Sequence, residues 1–247
     1  IPLNADLGDD HTNSIRAQLR RVSGKWDVNL SADYLDSHSR GGPTHLEAIN
    51  LSATSTGSLY NKIVSGTAPV PFYSAGLYTG LTAPRDLYDS RYLAGYYETY
   101  ATNVGYRLRG YGVNLTASYQ YSDNLAIKSL TGYRKNTVRY KIDNDQSPLA
   151  WNGNVKNEWL PALSQELQLL GTAFDKRLNY LFGLYYYRET PDEINERNFP
   201  GEPDGNQQYD NVKTTSLAAF AQLDYSFTER VKLTLGGRYS DDEKDAF

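Results

Sequence analysis

The chain reads as an all-β protein: an antiparallel transmembrane β-barrel, or a portion of a larger one, with short periplasmic turns and long extracellular loops. Three observations predict this. Strand-forming segments come in four pairs, each joined by a turn of three to six residues, while long excursions separate one pair from the next. The segments alternate apolar and polar side chains over about ten residues, the length a tilted strand needs to cross a bilayer. Tyrosine is abundant, with 22 copies against 7 Phe and 3 Trp. A ring with an apolar body and a polar tip suits the membrane–water boundary.

The first pair is 14–22 with 26–36, where Val28, Leu30, Ala32 and Tyr34 alternate with Asn29, Ser31 and Asp33. Successive side chains of a strand point to opposite sides, so this segment has one oily and one wet face. The second pair is 111–121 with 125–138. Val113, Leu115, Ala117, Tyr119 and Tyr121 share one face of its first strand, and Asn114, Thr116, Ser118 and Gln120 the other. Its second strand alternates weakly, and its assignment rests on its neighbours. The third pair is 164–171 with 178–189. Here Leu181, Tyr185 and Tyr187 lie opposite Leu178, Tyr180, Phe182, Leu184 and Tyr186, which predicts burial on both sides. The fourth pair is 214–227 with 231–240, carrying Leu217, Ala219, Ala221, Leu223, Tyr225 and Phe227, then Val231, Leu233, Leu235 and Tyr239.

The predicted lipid-facing set is therefore Val28, Leu30, Val113, Leu115, Ala117, Leu217, Ala219, Leu223, Leu233 and Leu235. Residues 1–247 are expected to form one partial β-barrel domain of about eight strands, with long extracellular loops near 37–110, 139–163 and 190–213.

Composition narrows the function classes. A hydrophobic fraction of 39% and a mean hydropathy of −0.62 rule out helical membrane spans but leave barrels open, because barrels need apolar side chains only at alternate positions. A net charge of −4 argues against nucleic acid, and Arg16, Arg20 and Arg21 read as lining a wet face or a turn. Cysteine is absent, which removes disulfides and thiolate metal sites. The three histidines, His11, His38 and His45, match no metal-ligand spacing, so no metal and no cofactor is expected. Asp143, Asn144 and Asp145 begin like a calcium loop, but Pro148 stands where its glycine is required, leaving surface hydration as their expected role. The sequence has no P-loop, nucleophile elbow or dinucleotide fingerprint, so no enzyme is expected. Neither methionine nor a signal peptide is present, and the chain is expected to be an internal or processed piece of a longer protein.

The long loop 37–110 holds the candidate ligand contacts. Tyr88, Arg91, Tyr92, Tyr96 and Tyr97 are placed to stack on rings and hold carboxylates. The competing role of such aromatics is a small core for the loop itself, since structureless loops of this length are uncommon.

Three segments carry a family resemblance. LSQELQLLGTAFDKRLNYLFGLYYYRE (163–189), LAAFAQLDYSFTERVKLTLGGRYSDDEK (217–244) and LAIKSLTGYRK (125–135) resemble recurrent strand pairs of TonB-dependent outer-membrane receptors, and they occur in that family's order. The resemblance implies a 22-stranded barrel of which this chain is the middle part, without the plug domain and the TonB box. It also implies TonB-energised uptake of a bulky nutrient such as an iron–siderophore complex, cobalamin or an oligosaccharide. The implied partners are outer-membrane lipid, the substrate, and the TonB complex acting through missing N-terminal regions. The implied location is the outer membrane of a Gram-negative bacterium. The acidic run Asp241, Asp242, Glu243 reads as the start of another loop. Two other readings of the same alternation are a carbohydrate- or protein-binding β-sandwich and a barrel fragment assembled into a β-rich aggregate.

Overall fold

The computed structural model describes residues 8–42, 44–70, 78–95, 98–102, 104–149, 151–199 and 206–246. These form nine strands: β1 (His11–Ser23), β2 (Trp26–Ser39), β3 (Gly105–Ser122), β4 (Leu125–Asp143), β5 (Gly153–Ala173), β6 (Leu178–Glu189), β7 (Asp192–Asn198), β8 (Asn206–Ser226) and β9 (Lys232–Ala246). All belong to one sheet, and every pairing is antiparallel. The described strands therefore do not divide into the two packed sheets that a sandwich requires.

The sheet is an eight-lane meander, because β6 and β7 occupy one lane. The register that sets Ala162 opposite Glu189 continues unbroken to Trp159 opposite Asp192, and the same holds against β8. The lane is interrupted at Thr190 and Pro191, where proline has no N–H to give the ladder. Backbone bonds still bridge the gap: Thr190 donates to the Pro161 carbonyl and Val212 to the Pro191 carbonyl, each at 3.2 Å.

Short turns close one end of the sheet. Gly24 takes φ +57° between β1 and β2, as a tight hairpin demands. Between β5 and β6, Phe174, Asp175 and Lys176 all have positive φ, at 54°, 53° and 67°, without a glycine among them.

At the other end the strands run further than alternation marks. Of the expected loop 139–163, only 144–152 lies outside β4 and β5, and β7 and β8 fill most of 190–213. The acidic run read as a loop start belongs to β9, with Asp241 opposite Leu217 and Asp245 opposite Lys213. In β7, the upper part of β8 and the end of β9, polar residues occupy both faces and the period of two disappears; in β5, Leu160, Pro161 and Ala162 break it by placing apolar residues on both faces.

The remaining excursion, between β2 and β3, carries α1 (Thr56–Val64), N-capped by Ser55, whose hydroxyl accepts from the Ser58 amide at 3.2 Å. Its inward side joins a small core of Tyr60, Ile63, Tyr78, Tyr88, Leu149 and Trp151. This is the main buried cluster of the described chain, because the sheet itself is one layer thick.

Candidate functional site

The register sorts the side chains into two faces. One carries Val28, Leu30, Val113, Leu115, Ala117, Leu217, Ala219, Leu223, Leu233 and Leu235, since Leu30 stands opposite Leu115, Val28 opposite Ala117, and Leu223 opposite Leu235. Between them β5 and β6 add Leu167 opposite Leu184 and Leu169 opposite Phe182. The result is a continuous apolar surface with Leu235 59% and Leu184 61% exposed, an arrangement water does not favour.

Aromatic rings border that surface at both ends. Trp26, Tyr119, Ile127, Leu169, Phe182, Ala221 and Gly237 face one another in a single transverse row. Toward the long loops, Tyr34 and Tyr111 lie eight residues above this row, Tyr133 six, Tyr186 four and Tyr239 two. Toward the short turns, Trp26 and Tyr119 lie in the row, Tyr180 two residues below it and Tyr225 four. Both lines of rings thus step down by about one residue per lane. A rise of ~3.3 Å per residue against ~4.8 Å between strands makes that a strand tilt of about 35°, which is the tilt of closed barrels. At this tilt the rings on β2 stand ~22 Å apart along the normal, close to the ~25 Å apolar band of outer-membrane barrels.

The opposite face is polar and cross-linked. Arg20 donates to both Asp27 oxygens at 2.8 and 2.6 Å, and Arg134 reaches across β3 to Asp33 at 2.7 and 2.9 Å. That reach requires Gly112, where an added Cβ would stand 2.8 Å from the Arg134 guanidinium. On β6, Tyr185 and Tyr187 are half-buried on this face rather than enclosed, and Arg238 lies over the rings of Tyr185 and Phe220 at 5.2 and 5.8 Å.

Above the sheet, the loop candidates are mostly spent on holding the loop together. Tyr88 is 8% exposed, packs edge-on against Trp151, and donates its hydroxyl to the Asp145 carbonyl at 3.1 Å. Arg91 is paired with Asp89 and donates to the carbonyls of Pro84 and Leu87. Tyr92 packs against the same core and meets Tyr100 edge-on. Tyr96 and Tyr97 lie outside the described residues.

Asp145 corrects the expectation of a hydrated loop. It is 2% exposed, and its carboxylate accepts from the amides of Ser147 at 3.0 Å and Asn152 at 2.9 Å and from the Ser147 hydroxyl. Burial, with the charge of nearby Asp143 added, pushes its pKa up to about 7. Its carboxylate partners lie two and seven residues on, while Tyr88, which bonds its carbonyl, comes from a loop 57 residues earlier, a contact no local pattern marks. His11 and His38 stack on the outermost ladder pair of β1 and β2, with ring centroids 5.2 Å apart.

A single antiparallel sheet with one oily face, one wet face and two tilted lines of aromatics has the make-up of a wall segment of an outer-membrane-type barrel. A family model described as "TonB dependent receptor-like, beta-barrel" matches residues 48–246, and the chain belongs to that family. Among solved structures, the ferric yersiniabactin uptake receptor FyuA from Yersinia pestis superposes with a TM-score of 0.65 at 13% identity, over 98% of this chain and 31% of that one. FpvA of P. aeruginosa, bound to heterologous pyoverdines, gives 0.63 at 15% identity, over 96% and 31%. BauA, the ferric preacinetobactin receptor from Acinetobacter baumannii, gives 0.56 at 14%, over 98% and 36%. At these identities the likeness is one of fold, and the chain spans about a third of the length of each. No curated protein sequence matches it significantly.

Proposed function

We propose that this chain is part of the wall of an outer-membrane receptor of a Gram-negative bacterium that takes up a bulky nutrient in a TonB-energised step. The observation that carries the reading is the pair of aromatic lines bounding one apolar face, in a chain of the TonB-dependent receptor-like family. On this reading Val28, Leu30, Val113, Leu115, Ala117, Leu217, Ala219, Leu223, Leu233 and Leu235 face lipid, and the Arg–Asp network faces the lumen. TonB acts through regions outside this chain. Iron–siderophore complexes are the substrate class to test first, since FyuA, FpvA and BauA are described with ferric yersiniabactin, pyoverdine and ferric preacinetobactin; cobalamin and oligosaccharides come next.

With Tyr88 buried and Arg91 committed to its own loop, they contribute to binding by shaping the cap, while Tyr92, Tyr96 and Tyr97 remain the candidates for contact. The test is uptake of radiolabelled ferric siderophores by cells that carry the full-length protein, with and without a functional TonB and with an uncoupler. The proposal expects saturable uptake that disappears in both deprived conditions. Uptake that continues without TonB, at a rate proportional to external concentration, would make the protein a passive pore.

A further inference from the structure

Just above the upper line of rings, the membrane-side face turns cationic. Lys135 stands opposite Tyr111, Arg109 opposite Thr137, and Arg107 directly opposite Arg139. Arg109 lies two residues above Tyr111, and Arg107 and Arg139 four residues above its level. At the 35° tilt these steps are ~5 and ~11 Å along the normal. Arg107, Arg109 and Arg139 are exposed. Asp36 is the one acid among them: it accepts two hydrogen bonds from the Arg107 guanidinium, at 3.1 and 2.8 Å, and lies 3.8 Å from Arg109. Among the described residues, neither Lys135 nor Arg139 has a carboxylate within ion-pair distance.

Two features ask for an external anion. Lys135 and Arg139 lack a carboxylate partner among the described residues, and Arg139 stands directly opposite Arg107, whose own charge is met by Asp36. The cations also continue the apolar face and its tyrosine line without a break, so whatever meets the rings at the boundary meets the guanidinium groups next. We infer that Arg109, Lys135 and Arg139, beside the Asp36-paired Arg107, form a docking surface for the phosphate groups of lipid headgroups in the leaflet at the long-loop end. A guanidinium matches a phosphate with two parallel hydrogen bonds, and tyrosine rings hold the acyl boundary below. The cations are exposed on a sheet face that continues the apolar band, which suits an anion tethered to a bilayer better than one free in water. The inference rests on the membrane placement proposed above.

The test uses the full-length protein in nanodiscs of phosphatidylcholine containing a minority of phosphatidic acid, with retained lipid counted by native mass spectrometry after detergent extraction. The unpaired cations are removed together as Lys135→Gln with Arg139→Gln, and Lys128→Gln on the polar face serves as control. The expected result is retention of phosphatidic acid by the parent and the control, with binding weakened roughly five-fold per cation in the double variant and weakened for all by salt. Equal retention by parent and double variant would overturn the docking surface, as would displacement of the lipid by millimolar inorganic phosphate, which would mark a free-anion site. Failure of the parent to enter phosphatidylcholine discs at all would overturn the membrane placement instead, and the docking surface with it.

Discussion

At the scale of single residues, the two faces make opposite demands on the same substitution. Leu115 lies near the middle of the apolar band and Thr116 beside it on the polar face. An arginine in place of Leu115 is expected to cost about 2–4 kcal/mol of folding free energy in lipid, whereas Thr116→Arg has a wet lumen to enter and stays within about 1 kcal/mol. Urea titration of vesicle-inserted protein measures both, and equal costs would contradict the assignment of faces. Asp145 supplies a pH dependence. A carboxyl whose pKa in the folded cap is near 7, against about 4 when unfolded, binds more protons folded than unfolded throughout that interval. Its contribution to cap stability is therefore full below about pH 4, shrinks as pH rises, and is gone above about 7. Trp151, stacked on Tyr60 at 5.1 Å and 4% exposed, reports this directly. Its fluorescence should indicate a tighter cap at pH 5 than at pH 8, and the Asp145→Asn variant should lose most of the difference, the remainder coming from Asp143, whose carboxyl burial also pushes up. A pH-independent signal in the parent would remove Asp145 from that role.

At the scale of elements, the β5–β6 turn is the sharpest departure from what local sequence rules supply. Three consecutive L-residues in the left-handed region cost on the order of 1 kcal/mol each, and the turn is held by Arg177 donating to the Phe174 carbonyl at 3.0 Å and accepting from Ser226 at 2.8 Å. Replacing Lys176 by Gly should relieve about 1 kcal/mol, and a lowered urea midpoint would show that the positive φ carries no strain. Conversely, Gly183 lies so close under Phe220 that an added Cβ would meet the ring at 2.1 Å, so Gly183→Val should destabilise the β6–β8 pairing by at least 2 kcal/mol. These elements also show what the sequence made legible. Alternation gave the middle portions of β2, β3, β8 and β9 because one face of each is apolar there. It gave β4 faintly, because Ser129, Thr131 and Gly132 dilute its pattern; it lost β7 and the upper part of β8, where both faces are largely polar, and the upper part of β5, where Leu160, Pro161 and Ala162 put apolar residues on both faces. Of the cap, the aromatic residues were visible and their partnership was not: Tyr88 meets Asp145 across 57 residues of chain, and no local period encodes that distance.

For the whole molecule, tilt is the property that ties register, aromatic lines and closure together. The upper rings descend six residues over the six lane-to-lane steps from β2 to β9, and the lower rings descend in parallel. Had the strands stood upright in a membrane, rings at a common height would lie in one register row. On the proposed membrane placement, their steady drift sets the bilayer normal at about 35° to the strands. The same drift carried round 22 strands gives a shear near the strand number and a barrel radius of roughly 20 Å, within which these eight lanes occupy roughly a third of the circumference. The expectation is therefore an average strand tilt of about 35° for the full-length protein in oriented bilayers, read from the dichroism of the amide I band in polarised infrared spectra. A tilt below about 20° would place the two lines of rings at conflicting heights on β2 and β9. It would then leave the apolar face without a single membrane position, and the reading of that face as lipid-bound would fail even though the sheet itself were correct.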